Sequence, residues 1–240
     1  VQIGPVQALL PDELGLRERM TCAEENDLRC PEPVATEAMR ACIGEAKADR
    51  DTLGGVFEVA VLGIPPGLGS HVHWDRRLDA RLMAAVGSIP AVKGVEIGPA
   101  FENATRRGTQ VHDEIYEENG ALVRRTNRAG GFEGGITTGQ PVIVRAAMKP
   151  ISTTLTPLRS VDLASGQPAR TRYERSDTCA VPRAAVVGEA MVAYVMAGAL
   201  LEKLGGDSLD EMRPRFADLR RGMLNELEMD NEPWRFAGSA

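Results

Sequence analysis

The chain is 240 residues and 25.8 kDa, with 43% hydrophobic and only 4% aromatic residues, a formal charge of −6 and a pI near 5.3. That length buries a core of aliphatic and alanine side chains in one or two domains, and the mild acidic excess argues against nucleic acid or an anionic membrane as a partner. The first residues, VQIGPVQALLPDE, lack the basic start and cleavage site of a signal peptide, and no run is read as reaching the ~18 apolar residues of a bilayer span, so a cytoplasmic protein is expected.

The four cysteines, Cys22, Cys30, Cys42 and Cys179, show no two-residue spacing of the kind that presents thiolates to zinc. Reduced thiols are expected, because a chain of this size does not need disulfide staples. The chain begins at Val1, in a β-like segment and without methionine, so a processed or partial sequence is expected.

After the short strand-like start, Pro33 opens a helical window through Lys47, with Val34, Ala38, Cys42 and Ala46 four apart on one face, and Gly54 with Gly55 stops it. Val56 to Pro65 is β-branched and apolar enough for a strand that ends in the Pro65-Pro66-Gly67 turn. Leu78, Leu82, Ala85 and Ile89 restore a helical period from Asp75, and Gly94 to Gly98 reads as a strand. Residues 100–120 are polar and predict a long surface loop. Strands at 121–126 and 141–148 flank a glycine-dense segment, and a turn-rich stretch follows at 156–167.

Pro182 starts a long helix that is apolar almost all round and is therefore expected to be buried. Gly205 and Gly206 end it. Ser208 and Glu211 have capping-box spacing for a further helix that Pro214 is expected to break or kink, and the tail beyond Glu226 reads as irregular. Strands and helices without regular βαβ alternation predict an α+β fold.

Three segments have the composition of a binding site. In NRAGGFEGGITTGQP, 127–141, five glycines fall within ten residues, which suits either a backbone cradle for a ligand or a hairpin with bulges. No Gly-Lys-Ser/Thr follows, and the next segment is a strand, so neither a Walker loop nor a dinucleotide fingerprint fits. KPISTT, 149–154, ends a strand with a lysine and hydroxyls, suited to a phosphate or a flavin's polar edge, or to a plain polar turn. RSD, 175–177, sets a bidentate cation two residues before a carboxylate, a ligand-binding pair or a surface ion pair and helix cap.

The histidines are less specific. His71 and His73 share one face if they lie in a strand, but a metal needs a further ligand that no motif supplies, so no metal is expected. His112 beside Asp113 and Glu114 suits acid-base chemistry or a solvated loop cluster, and no GxSxG elbow supports a serine nucleophile.

Taken in order, GIPPGLGS, WDRRLDARL, SIPAVKGVEIG, NRAGGFEGGITTGQP, KPIST and RSDTCAVPRAAVVGEAM resemble chorismate synthase, from the start of the chain to about Leu204. The resemblance implies a single chorismate synthase domain over 1–240 with a partial β-α-β sandwich, a homotetramer, and a lyase that uses reduced FMN. Its reaction would convert 5-enolpyruvylshikimate 3-phosphate to chorismate and phosphate by trans 1,4-elimination. It places flavin contacts on Pro90, Ala91, Gly134, Lys149, Pro150, Ile151, Ser152, Thr153 and Arg175, with Arg175 also available to substrate and Asp177 assisting proton transfer. Pro90 stands where the family often has a polar residue.

The family's Gly-Glu-Ser-His-Gly-like and Pro-Gly-His-Ala-like segments, which carry its two acid-base histidines, are absent from these 240 residues, as are substrate-holding arginines of the same part. The chain by itself is therefore expected to be inactive. Two alternatives stay open at this point: a non-catalytic flavin-binding or oligomerisation fragment, and a bifunctional enzyme that also reduces flavin with NAD(P)H.

Overall fold

The computed structural model describes residues 1–8, 15–174 and 176–227. Two short strands, β1 (Gln2–Ile3) and β2 (Val6–Gln7), turn back on each other and are followed by α1 (Leu16–Glu24) and α2 (Pro33–Ala48). Next come β3 (Gly55–Val61), α3 (Leu78–Gly87), β4 (Val92–Ile97), α4 (Ala100–Asn103), β5 (Ile115–Glu118) and β6 (Ala121–Arg124). The glycine segment forms the small hairpin β7 (Phe132–Glu133) and β8 (Ile136–Thr137), after which β9 (Val142–Met148) returns to the sheet. A second hairpin, β10 (Arg159–Val161) and β11 (Pro168–Arg170), precedes α5 (Val181–Leu204) and α6 (Leu209–Ala217).

The central sheet has the order β2-β1-β3-β9-β4 and is antiparallel throughout, so the expected α+β class holds. β9 is its axis. Val142, Val144, Ala146 and Met148 alternate onto the buried face, where Phe57, Val59, Leu78, Leu82, Val86, Val192, Val195 and Met196 meet them. The other face carries Arg145 between Glu58 and Glu96 in one register row, with ion-pair distances of 3.6 and 2.6 Å. A second apolar cluster, Ile3, Leu28, Cys30, Ala35 and Met39, packs α2 beside β1.

Several expectations are revised. The helix from Pro33 is present, but its buried side is Ala35, Thr36, Met39 and Ala46, while Val34 and Ala38 face outward. Glu32 caps it by accepting from Val34 N and Ala35 N, and the buried side is the one that meets Ile3, Leu28 and Cys30 through Ala35 and Met39. It ends at Ala48, before the glycines, and Gly55 begins β3 instead. Residues 100–120 form a short helix, a 3₁₀ turn and a strand rather than one loop. Within 156–167 lies most of the β10–β11 hairpin. Pro214 sits inside α6 without ending it, and Ser208 caps that helix as expected, accepting from Glu211 N at 3.3 Å. The tail reading beyond Glu226 falls largely on 228–240, outside the described residues.

Helix α5 is buried on one side only. Ala184, Ala185, Gly188, Val192, Val195 and Ala199 are buried where the helix packs on β3 and α3, and Gly188 lies so close to Phe57 that an added Cβ would stand 2.4 Å from the ring. Val186, Val187, Tyr194 and Leu201 are exposed. The expectation of complete burial fails because an all-round apolar pattern reports what a helix can bury, and β3 and α3 cover only part of it. An 18-residue window of α5 has mean hydropathy 1.9, long and apolar enough to cross a membrane by length and composition. The expectation that no run reaches that length is corrected accordingly.

Candidate functional site

One end of the sheet gathers most of the residues singled out from sequence. β4 begins after Pro90 and Ala91, and Ala91 adopts a left-handed φ of 69°, unusual for a residue with a Cβ. From there its carbonyl accepts from Lys149 N at 2.9 Å, so the start of β4 and the end of β9 close on each other, with a bulge between Val92 and Gly94. Lys149, Pro150 and Ser152 are exposed, and Ile151 and Thr153 are half-buried.

The turn before β3 holds this end from beneath. A Cβ at Gly54 would lie 2.4 Å from Met148 O and 2.9 Å from Pro150 N, so only glycine permits the approach. Beside it, Thr52 donates its hydroxyl to Ile151 O at 2.7 Å and Leu53 N donates to Thr178 O at 2.7 Å. Ser176 donates its hydroxyl to Thr153 O at 3.0 Å. Three hydrogen bonds thus join three segments that are distant in sequence.

The charges at this end are of both signs, with Asp51 and Asp177 beside Lys47 and Arg50. Lys47, Arg50, Thr52, Thr153, Ser176 and Asp177 line a small cleft, and among the described residues no ion pair engages Lys47, Arg50 or Lys149. Asp177 pairs with Arg183 on the first turn of α5, which is the ion-pair use weighed for it from sequence. Arg175, between Glu174 and Ser176, lies outside the described residues. Such an end can receive a phosphate or carboxylate on its cations and a flat apolar group against Ala91 and Ile151.

Gly134 lies elsewhere. Its hairpin is anchored at the opposite end of β9, where Gly130 O accepts from Ile143 N at 3.1 Å and Gly131 O from Thr138 N at 3.0 Å. Thr137 is buried, donates to Pro65 O and accepts from Leu68 N, both at 2.8 Å. The length of β9 separates the two ends, roughly 20 Å at ~3.4 Å per residue. Within one chain the structure does not bring Gly134 to Lys149.

The comparisons with known proteins agree with one another. A family model described as chorismate synthase matches residues 1–201. The chain belongs to the chorismate synthase family. A chorismate synthase of Saccharopolyspora erythraea is 53% identical over 230 residues, covering 95% of this chain and 57% of that protein. Those of Desulforudis audaxviator and Rubrobacter xylanophilus are 55% and 56% identical, covering 88% and 83% of this chain and 54% and 51% of theirs. A solved structure, "Crystal Structure of Chorismate Synthase", superposes with a TM-score of 0.75 at 45% identity over 91% of this chain and 60% of that one. The chain spans about half the length of the curated relatives it matches.

Among the described residues of this chain the histidines form no cluster. His71 and His73 lie in an exposed turn rather than a strand, with His73 Nδ1 3.8 Å from the Asp75 carboxylate, and the described residues contain no group of metal-ligating side chains. The His112–Glu114 triplet divides: His112 and Glu114 are exposed and Asp113 is buried. Asp113 accepts from Thr126 Oγ1 at 2.5 Å, Arg128 N at 2.8 Å and Ala129 N at 2.9 Å, fixing the entry to the glycine segment. Burial pushes its carboxyl up, but those hydrogen bonds and the charge of Arg124 prevail and hold it below the usual aspartate range.

Sequence reasoning missed both Asp113 as an anchor and Thr52 as a link. Each is a single polar residue whose partners lie in other segments, and no spacing announces it. Burial pushes the Cys179 thiol up, and all four cysteines are free.

Proposed function

We propose that the protein carrying this chain is a chorismate synthase in activity as well as in family. It would be a cytoplasmic carbon–oxygen lyase that converts 5-enolpyruvylshikimate 3-phosphate to chorismate and phosphate with reduced FMN. The observation that carries this reading is the convergence of Ala91, Lys149–Thr153 and Ser176–Asp177 at one sheet end, with unpaired cations beside them. Those residues fit a flavin mononucleotide: Lys149 offers an ammonium to an anionic group, Ile151 and Ala91 offer apolar contact, and Ser152 and Thr153 offer hydroxyls.

When bound, reduced FMN would lend electron density to the substrate as phosphate departs and then help remove the proton. The chain's own part is positional and electrostatic. Lys149 and Arg175 would hold anionic groups of cofactor or substrate, Arg175 through its planar fork. Asp177, oriented by Arg183, would take or relay a proton at its carboxylate. The two acid-base histidine segments implied by the resemblance are not among these 240 residues, so the chain alone binds without turnover.

We read residues 1–240 as one domain of a homotetramer. The separation of Gly134 from Lys149 supports that assembly, because a second subunit is one way for the glycine turn to reach a flavin site. The uncovered apolar side of α5 also supports it, as a face that further protein would cover.

The test is an anaerobic single turnover with reduced FMN and 5-enolpyruvylshikimate 3-phosphate, comparing this chain with a version at family length that includes both histidine segments. Phosphate and chorismate should form with the longer protein and not with the shorter. A longer protein that binds flavin yet releases no phosphate would overturn the lyase reading.

A further inference from the structure

We propose that Thr52 is a positioning residue for the flavin site. Its hydroxyl clamps the Lys149–Thr153 segment, and its turn carries the adjoining bond to Thr178, so that two loops nearly thirty residues apart are held as one surface. The inference rests on the flavin reading above.

The geometry is specific. Thr52 stands half-buried in the Asp51–Gly55 turn, between the end of α2 and β3. Its backbone N–H is taken by Asp51 Oδ1 at 2.8 Å, which leaves the side chain to reach across to Ile151 O at 2.7 Å. The following residue, Leu53, donates its N–H to Thr178 O at 2.7 Å and pairs with Cys179 in an isolated parallel bridge. Ser176 Oγ closes the third side on Thr153 O at 3.0 Å.

Segments 149–153 and 176–178 are otherwise loops, and they are joined by the exposed β10–β11 excursion. An isolated two-stranded hairpin is marginal by itself and cannot fix the distance between its own ends. The clamp at Thr52 supplies what the hairpin cannot. Glycines at 54 and 55 let the turn lie against the backbone of Met148–Pro150 and of Gln2, so the hydroxyl is delivered by a backbone with little room to move. Removing the hydroxyl while keeping the shape leaves Ile151 O without its partner. A half-buried carbonyl so treated relaxes toward water and takes its neighbours with it. Ligand groups that need Lys149, Thr153 and Ser176 together then lose their alignment.

The test uses Thr52→Val, Thr52→Ser and, as a control, Thr36→Val. Thr36 also donates a buried hydroxyl to a backbone carbonyl, Glu32 O at 2.9 Å, but on the first turn of α2 away from these loops. Oxidised FMN is titrated by flavin fluorescence into each variant of the family-length protein, and amide hydrogen exchange is followed in 149–153 and 176–178. Thr52→Val should weaken FMN binding about tenfold, Thr52→Ser should stay within about twofold of the parent, and Thr36→Val should lower thermal stability without moving FMN affinity. Exchange should rise in both loops for Thr52→Val alone.

Unchanged FMN affinity in Thr52→Val, or equal loss in Thr52→Ser, overturns the inference. If the parent binds no FMN, the flavin reading fails and exchange decides the clamp: faster exchange in both loops upholds the coupling, and unchanged exchange refutes it.

Discussion

At the Val142 end of β9 the chain ties itself down with its own polar groups, whereas at the Met148 end it leaves them available. Near Val142, Asp113 takes three donors, Asn127 bonds to Gly131 N at 2.9 Å and Pro141 O at 2.8 Å, and Thr137 bridges Pro65 and Leu68. Near Met148, three bonds fix the loops, while among the described residues no ion pair engages Lys149, Lys47 or Arg50. Glycine density in the 127–141 segment thus marks close backbone packing at Gly130, Gly131 and Gly135. Most of the glycines serve close backbone packing, and an open site instead shows unpaired charge next to a constrained backbone.

Substitutions at the two ends should therefore separate stability from binding. The largest effect on folding is expected at the closed end. Gly130 has a φ of 62° and an added Cβ would lie 2.4 Å from Gly98 N, so Gly130→Ala should cost about 3 kcal/mol in urea denaturation. A loss below ~1 kcal/mol would mean that this contact yields easily.

A smaller loss, about 2 kcal/mol, is expected for Asp113→Ala, from the donors it leaves unsatisfied. This effect carries a pH signature. Because the folded carboxyl titrates below the unfolded one, its contribution is fully present above the unfolded value of about 3.9 and is lost as pH falls through the folded value. The stability difference between parent and Asp113→Ala should narrow as acid is added below about pH 4. A difference that stays constant from neutral pH into acid would contradict this account of Asp113.

The smallest stability effect belongs to the open end. Lys149→Ala should change unfolding by about 0.5 kcal/mol or less, since the side chain is exposed and has no ion-pair partner among the described residues. It should nevertheless weaken FMN binding about tenfold in a fluorescence titration, by removing a cation from an anionic ligand. If folding suffers and binding does not, the contrast between the two ends is wrong.

How much of this was legible beforehand depends on the range of the interaction. The helix from Pro33, the strand after Gly55, the helix over Leu78 and Leu82 and the helix from Pro182 follow from local periodicity and capping. The face of α2 was misread because its burial is set by Ile3, Leu28 and Cys30, which lie outside the helical window. KPIST and RSD were visible as polar segments with the right chemistry. That KPIST shares one surface with Ser176 and Asp177, and that Gly134 does not share it, was not visible.

Sequence alone determined the family and the α+β class, because several ordered blocks and short-range patterns each act within their own few residues. It also determined that the two histidine segments of the resemblance are not in this chain. Tertiary structure alone decided which blocks meet. The antiparallel register of β3, β9 and β4 sends Ala91 and Lys149 to one end and the glycine hairpin to the other. The same register turns one side of α5 inward and leaves Val186, Val187, Tyr194 and Leu201 uncovered. Pairing between strands far apart in sequence sets those positions, and no local propensity encodes it.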